Sequence, residues 1–357
     1  MKTKELTTEK TLDGITRPLL TWYDANARVL PWRETTDPYR IWVSEIMLQQ
    51  TRVAAVLGYY RRFLEQFPTV EALASAPEEL LMKCWEGLGY YSRARNLQKA
   101  AKILAERGEF PQTFEELRQL PGIGEYTAAA IASAAFGKRE AAVDGNVLRV
   151  VARLTDDDRD VLEEKTKRAV RGQVLAVMPE DEEEIRVFNQ ALMELGATVC
   201  IPNGAPLCES CPLHRQCLGR QRGTAETLPI KKAKKARRKE EKTVFVLLRE
   251  GRVALHKRPK SGLLAGLWEF PNVEGAQAED MAAETVKRWG LVPVDWKKKL
   301  SAVHIFTHVE WHMTGYVLTV RGEEGDFLWA DRAQLESCAI PSAFARYHEE
   351  TLTWLEE

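Results

Sequence analysis

Four cysteines, two glycines and two carboxylates stand out in this 357-residue chain as groups able to take part in a reaction or hold an inorganic centre. Cys200, Cys208, Cys211 and Cys217 form a C-x7-C-x2-C-x5-C group within eighteen residues. Four thiolates that close in sequence can wrap one compact inorganic centre. Iron–sulfur clusters take four cysteines, and structural zinc takes the same set. Zinc sites more often show two separate C-x2-C knuckles, and here there is one. Spacing therefore favours iron–sulfur and leaves zinc or uncommitted thiols open. Isolated Cys84 and Cys338 read as small buried hydrophobes.

The glycines lie in LPGIG at 120–124, ahead of a helix-compatible stretch at 125–136. Gly122 and Gly124 let the backbone turn tightly and expose amide N–H groups. The helix start adds its partial positive charge, which together makes a phosphate cradle. A plain helix–turn–helix corner would read the same way. Twenty residues on, VDGN at 143–146 puts Asp144 at another turn, where the simplest role of a carboxylate is to cap a helix. Glu45 sits among Trp42, Val43, Ile46, Met47 and Leu48. A carboxylate in apolar surroundings keeps its proton more readily and can serve as a general acid. The alternative is a helix glutamate facing solvent.

The sequence around these groups changes texture along the chain. Up to about residue 220 the pattern is helical: Leu97, Ala100, Ala101 and Leu104 recur at helix spacing, as do Val170, Val174, Leu175 and Met178 before Pro179. Beyond Thr243 the reading is a strand at 243–248, a Glu-Gly turn and a strand at 252–256, then a helix at 281–289, a strand at 315–320 and a closing helix at 344–355. The basic run from Lys231 to Lys242, eight basic residues against two acidic, is the natural linker. The expected division is a helical domain at 1–221, a linker at 222–242 and a second domain at 243–357. Length alone calls for two cores, and 45% hydrophobic with 29% charged residues describes a globular protein. Net charge is −1. Thirteen basic and seventeen acidic residues from Thr243 onward give −4, which leaves +3 for the first 242. A nucleic-acid surface would have to be a local patch. No apolar run could span a bilayer, and the polar start MKTKELTTEK is unlike a signal peptide. The expected location is the cytoplasm, on the nucleoid if the source is bacterial.

Hairpin, downstream aspartate and four-cysteine loop together resemble the helix–hairpin–helix DNA glycosylase superfamily, with the hairpin at about 115–136 and the cluster loop at 200–217. Its iron–sulfur branches carry a [4Fe–4S] cluster on such a loop, which implies Cys200, Cys208, Cys211 and Cys217 as ligands. The usual first cysteine gap is six residues, and here it is seven. Bifunctional members place a lysine two residues past the second glycine to form a Schiff base. Here that position is Tyr126, so the resemblance implies a monofunctional enzyme and not an endonuclease III-like one. The motifs LPWR (30–33), DPY (37–39), WVSEIMLQQTRV (42–53), WEGLGYYSRARNL (85–97) and FNQAL (188–192) resemble the adenine DNA glycosylases of the MutY type. That resemblance implies Glu45 as the acid that protonates adenine N7, Asp144 as the stabiliser of an oxocarbenium-like sugar, and Tyr126 and Asn146 as the residues orienting them. It places Gln50 and Tyr90 as wedges in the duplex, Thr51 and Leu88 beside the opposite base, Trp32 and Gln190 in the adenine pocket, and Arg33, Gly122 and Gly124 on DNA.

The C-terminal part resembles a Nudix fold, with GLLAGLWEFP at 262–271 typical of that domain in these glycosylases. Nudix hydrolysis needs a glutamate cluster to hold Mg²⁺. AEDMAAETVK at 278–287 lacks it, so binding without hydrolysis is expected. HIFTH at 304–308 corresponds by the same resemblance to the loop, commonly Phe-Ser-His, that probes 8-oxoguanine, which implies Phe306, Thr307 and His308 as its readers; the alternative is a plain strand end. The expected protein is thus an α+β two-domain monomer: an all-α helix–hairpin–helix glycosylase domain with an Fe–S loop, plus a Nudix-like α/β domain. Its expected partner is double-stranded DNA holding 8-oxoguanine:adenine or guanine:adenine mispairs. A nucleotide pyrophosphatase and a non-enzymatic lesion binder are the rival readings. The missing glutamates speak against the first, and intact Glu45 and Asp144 against the second.

Overall fold

The computed structural model describes residues 12–232, 236–322 and 326–355. The polar start and part of the basic run lie outside them. Two compact units form: 1–75 with 96–233, and 76–95 with 234–357.

The first unit is helical, with α1 (Thr16–Asn26), α2 (Pro38–Leu48), α3 (Val53–Gln66) and α4 (Val70–Ser75) leading. After α5 (Glu78–Trp85), which belongs to the other unit, come α6 (Ser92–Arg107), α7 (Phe114–Leu117), α8 (Glu125–Phe136), α9 (Gly145–Thr155), α10 (Glu164–Val177), α11 (Glu182–Thr198) and α12 (Leu218–Gln221). Helix α8, EYTAAAIASAAF, is buried along almost its whole length, and its alanines let neighbouring helices approach. It ends at Gly137, whose φ of 63° is the left-handed conformation of a C-terminal stop. Helix α9 begins where the Asp144 carboxylate accepts from the backbone N–H groups of Asn146 and Val147. Its apolar face packs with α11, placing Val147, Val150, Val151, Phe188 and Leu192 in one core.

The second unit is built on a mixed sheet of order β3-β2-β1-β6-β5, with β4 on β1 and β7 on β2. Its strands are β1 (Arg238–Arg249), β2 (Arg252–Lys257), β3 (Trp268–Glu269), β4 (Asn272–Glu274), β5 (Val292–Ile305), β6 (Val309–Arg321) and β7 (Leu328–Ala330). β1 and β6 run parallel in the register Val244↔Gly315, and β5 and β6 form a long antiparallel hairpin. Alternate residues serve opposite faces. Phe245, Leu247, Tyr316 and Leu318 meet α13 (Glu279–Arg288) through Ala282 and Val286. The short α14 (Arg332–Ser337) follows β7. On the other face Val244, Val246, Met313 and Val317 meet Phe344 and Tyr347, which lead into and lie on α15 (Ala345–Trp354). Gly315 has to be glycine: a Cβ there would lie 2.1 Å from Cε1 of Tyr347.

Two boundaries differ from those expected. The basic run read as linker to 242 enters β1 at Arg238, because 238–242 pair with 309–313 of β6. Lys242 rests its ammonium 4.7 Å from the Trp311 ring centroid, so a basic side chain is accommodated inside a strand. The segment 76–95, assigned by texture to the helical domain, belongs to the unit of the sheet. There the Lys83 ammonium donates to the carbonyl of Cys338 at 3.1 Å, and the Glu86 carboxylate accepts from the N–H of Ile340 at 2.8 Å. Arg95 is shared between Glu78 and the carbonyl of Ala265.

Candidate active site

Four helices and two turns of the first unit enclose a cavity of about 550 Å³. Glu45 comes from the last turn of α2, Tyr126 from the first turn of α8, Asp144 and Asn146 from the start of α9, and Gln190 from α11. Trp32 and Arg33 come from the 3-10 turn Pro31–Arg33, and Gln50 and Thr51 from the turn after α2. Nine residues expected from sequence thus meet at one cavity. Gln50 adopts φ 58°, a left-handed conformation uncommon for a side-chain-bearing residue and often found where a loop works.

Tyr126 Oη donates to Glu45 Oε2 at 2.7 Å and lies 3.2 Å from Met193 Sδ. Burial pushes the Glu45 pKa up to about 7. The Tyr126 hydrogen bond pulls the other way, the Asp144 carboxylate adds to the rise, and Arg33 opposes it. Burial also raises Asp144 above the ordinary aspartate value, against three donors. Its Oδ1 accepts from the N–H of Asn146 and of Val147, both at 2.8 Å, and its Oδ2 from Asn146 Nδ2 at 2.7 Å. The orientation of that amide is settled by Arg149, whose Nη2 donates to Asn146 Oδ1 at 2.9 Å. Arg149 is itself anchored on the carbonyls of Gly196 (2.7 Å) and Cys200 (2.8 Å). Gly196 leaves the room: a Cβ there would stand 2.6 Å from Asn146 Cβ.

A second ion cluster backs the cavity. Glu194 receives Arg28 through two nitrogens, at 2.6 and 2.7 Å, and Arg33 at 2.7 Å. Burial alone would raise its pKa, but the two guanidinium groups hold it at about 2. Arg28, Arg149, Glu194 and Gly196 were not singled out from sequence. The one legible trace was that Gln190, Met193, Glu194 and Ala197 follow helix spacing on α11 and all line the cavity.

Other expected residues lie elsewhere. Gly122 adopts φ 79°, and a Cβ there would come within 2.7 Å of Asn96 Cβ, so the hairpin requires glycine at that point. Gly124, at φ −88°, caps α8 in extended backbone. Neither lines the cavity. In the second unit, Tyr90 is exposed in a left-handed turn at φ 48°, and its hydroxyl is 2.6 Å from Thr307 Oγ1. Arg93 holds that turn by donating to the carbonyls of Leu88 (3.0 Å) and Gly89 (3.1 Å). Leu88 itself is buried, at 6% exposure, so packing accounts for it here. Phe306, Thr307 and His308 form the tip between β5 and β6, a hairpin turn and not a plain strand end. Phe306 packs edge-on against Trp311 at 4.8 Å, which makes it the anchor and leaves Thr307 and His308 exposed.

The four cysteines of the 200–217 loop line one small cavity of about 30 Å³, together with Arg153 and Arg220. Arg153 Nη1 donates to Cys200 Sγ at 3.3 Å, and the Arg220 N–H to Cys217 Sγ at 3.4 Å. Burial pushes the Cys211 thiol up to about 12, with its three neighbours adding to the rise. Among the described residues no group of three or more His, Cys, Asp or Glu side chains is drawn together as a site for a metal ion. Nor is any helix long and apolar enough to cross a membrane.

Comparison with known proteins is consistent with this architecture. Residues 43–174 match the HhH-GPD superfamily of base excision DNA repair proteins, and 243–350 match the NUDIX domain. The adenine DNA glycosylase of Homo sapiens is 38% identical over 367 residues, covering 85% of this chain and 67% of that protein. That of Buchnera aphidicola subsp. Baizongia pistaciae is 33% identical, covering 84% and 83%. A thermostable thymine-DNA glycosylase superposes with a TM-score of 0.53 at 28% identity, over 60% of this chain and 99% of its own. Endonuclease III in a non-covalent DNA complex gives 0.50 at 27%, over 60% and 97%. With relatives this similar over most of both chains, and a helix–hairpin–helix unit joined to a Nudix-like one, the protein belongs to the adenine DNA glycosylases of the MutY type, which hydrolyse N-glycosyl bonds in DNA.

Proposed function

We propose that this enzyme flips adenine paired with 8-oxoguanine or guanine out of the duplex, takes it into the cavity and releases it by hydrolysis, without cutting the strand. The observation that carries the reading is Glu45: an acid with its pKa raised to about 7, on the same cavity as a second carboxylate. Flipping costs a few kcal/mol of lost stacking and pairing. Tyr126 occupies Glu45 Oε2 as a donor, which leaves the acid's proton on Oε1 for the base. Protonation at N7 turns adenine into a neutral leaving group. As the glycosidic bond lengthens, positive charge builds on the sugar, and Asp144 supplies fixed negative charge beside it. The Asn146 side chain and its backbone N–H hold that carboxylate in place. Tyr126 stands where an amine would be needed for a Schiff base, so base release and strand cutting are separate.

Thr307 and His308 are the groups proposed to read the opposing base, and Tyr90, bonded to Thr307, the wedge beside them. The test is single-turnover base release by the full chain from duplexes with adenine opposite 8-oxoguanine, guanine or thymine, with and without alkali. Adenine release from the first two, with strand breaks only after alkali, is expected. Breaks without alkali would overturn the monofunctional reading. Replacing Thr307 and His308 together by alanine is expected to cost about tenfold in preference for 8-oxoguanine over guanine, the value of a hydrogen-bonded base contact. Equal losses on both pairs would remove the lesion-reading role.

Cys200, Cys208, Cys211 and Cys217 are proposed to hold a [4Fe–4S] cluster. The donor set fits in number and kind: all four thiols line one small cavity, and the Arg153 guanidinium and the Arg220 N–H donate to the sulfurs of Cys200 and Cys217, as they would to thiolates. Bound there, the cluster would fix the loop beside α9, whose Arg149 and Arg153 already bond to Cys200. Metal analysis of purified protein is expected to find about four irons per chain. Stoichiometric zinc without iron would overturn the assignment.

A further inference from the structure

Tyr23 lies on α1, behind the cavity and not on it. It is 6% exposed, and its Oη donates to Gln190 Oε1 at 2.8 Å. A glutamine amide can be turned either way, presenting oxygen or nitrogen. Here one orientation is enforced. The Tyr23 hydroxyl makes no other hydrogen bond among the described residues, so an amide turned the other way would leave a buried O–H without an acceptor. The ring cannot swing aside easily. The Arg33 guanidinium lies 5.5 Å from its centroid and is pinned by Glu194 at 2.7 Å. With Oε1 accepting from Tyr23, the NH₂ is the donor group that Gln190 has free for the cavity it lines.

We propose, on the reading of the cavity as an adenine site, that Tyr23 is a positioning residue: it holds the Gln190 amide nitrogen toward the base and makes that side of the pocket select an unprotonated ring nitrogen. Gln190 Nε2 and the Glu45 proton are both donors and need lone pairs to meet. Adenine offers three ring nitrogens that accept. A purine with a ring N–H on that edge would set donor against donor, an arrangement that rejects strongly because both groups stay unpaired.

The test is a double-mutant cycle in the full chain. Tyr23→Phe keeps the ring under Arg33 and removes only the hydroxyl. It is expected to weaken half-saturation by the duplex about fivefold, the worth of one net hydrogen bond, with the saturating rate of base release changed less than about twofold. Gln190→Leu is expected to cost about as much, and the double variant no more than either single one. Duplexes carrying 1-deaza- or 3-deazaadenine give a second arm. Removing the nitrogen that Gln190 meets is expected to penalise the wild type and not Tyr23→Phe. Losses that multiply in the double variant, or a deaza penalty equal in both proteins, overturn the proposal. Failure of the adenine reading shows differently, as a wild type that releases no adenine. Anisotropy titrations of the same duplexes score the Tyr23–Gln190 coupling in either case.

Discussion

Glu45→Gln is expected to slow adenine release by roughly 10²–10⁴-fold, the range general acid catalysis contributes, while binding of lesion duplexes stays near wild type. The substitution keeps the shape, and the carbonyl of the new amide can still accept from Tyr126 Oη, so the only thing removed is the proton. The pH dependence makes the test sharper. In its proposed role Glu45 acts when protonated, and its pKa is raised to about 7, so the wild-type rate is expected to be flat below neutrality and to fall as pH rises through that value. The variant should lose this limb. Stability follows the same sign. A carboxyl whose pKa is raised by folding favours the folded state at low pH and loses that contribution as pH rises from the ordinary glutamate value through about 7. Glu45→Gln is therefore expected to melt no lower than wild type, and higher on the alkaline side. Single-turnover rates and melting curves across the neutral range check both. A variant of full activity would take Glu45 out of its role.

Asp144→Asn is expected to cost roughly 10²–10³-fold in the rate of base release, the magnitude of losing one fixed electrostatic partner of the transition state. Structural collapse would not explain that loss. Asparagine caps helices about as well as aspartate, so the bonds from the Asn146 and Val147 N–H groups that start α9 can persist. What disappears is negative charge beside the sugar. An amide there must also present its NH₂ to some neighbour, and Asn146 Nδ2, fixed by Arg149, is already a donor. Unchanged circular dichroism, with stability lowered by about 1–3 kcal/mol at most for the lost partner and a collapsed rate, is the expected result. A rate near wild type would mean that the carboxylate serves only as a helix cap.

Much of the site was written locally. Glu45 inside an apolar helix, the glycine hairpin, the aspartate turn and the four cysteines are each features of a few neighbouring residues, and short apolar runs beside turn residues marked about half of β1 and β6 and most of β2. Their local physics survives in the fold: Asp144 is the helix cap it resembled, and Gly122 takes the left-handed turn. β5 escaped detection because register shifts between Pro293 and Asp295 and between Trp296 and Lys298 break its alternation, and because this edge strand buries only Leu300 fully. The domain boundary escaped for a different reason. The 76–95 segment has helical texture, but the partners that place it, Cys338, Ile340 and Ala265, lie far along the chain. A chain cut near 222 would strip those partners from it.

The available chemistry is legible in residue types alone: an acid, a second carboxylate, a tyrosine where an amine would change the reaction, and four thiols. The residues that hold these groups in place emerge from long-range packing. Tyr23 and Gln190 are 167 positions apart, and Arg28 and Glu194 are 166 apart. Such pairs leave no local periodicity to read. A buried hydroxyl, amide or carboxylate must find its partner wherever packing brings one, and that partner becomes visible only once α1, α9 and α11 are folded together.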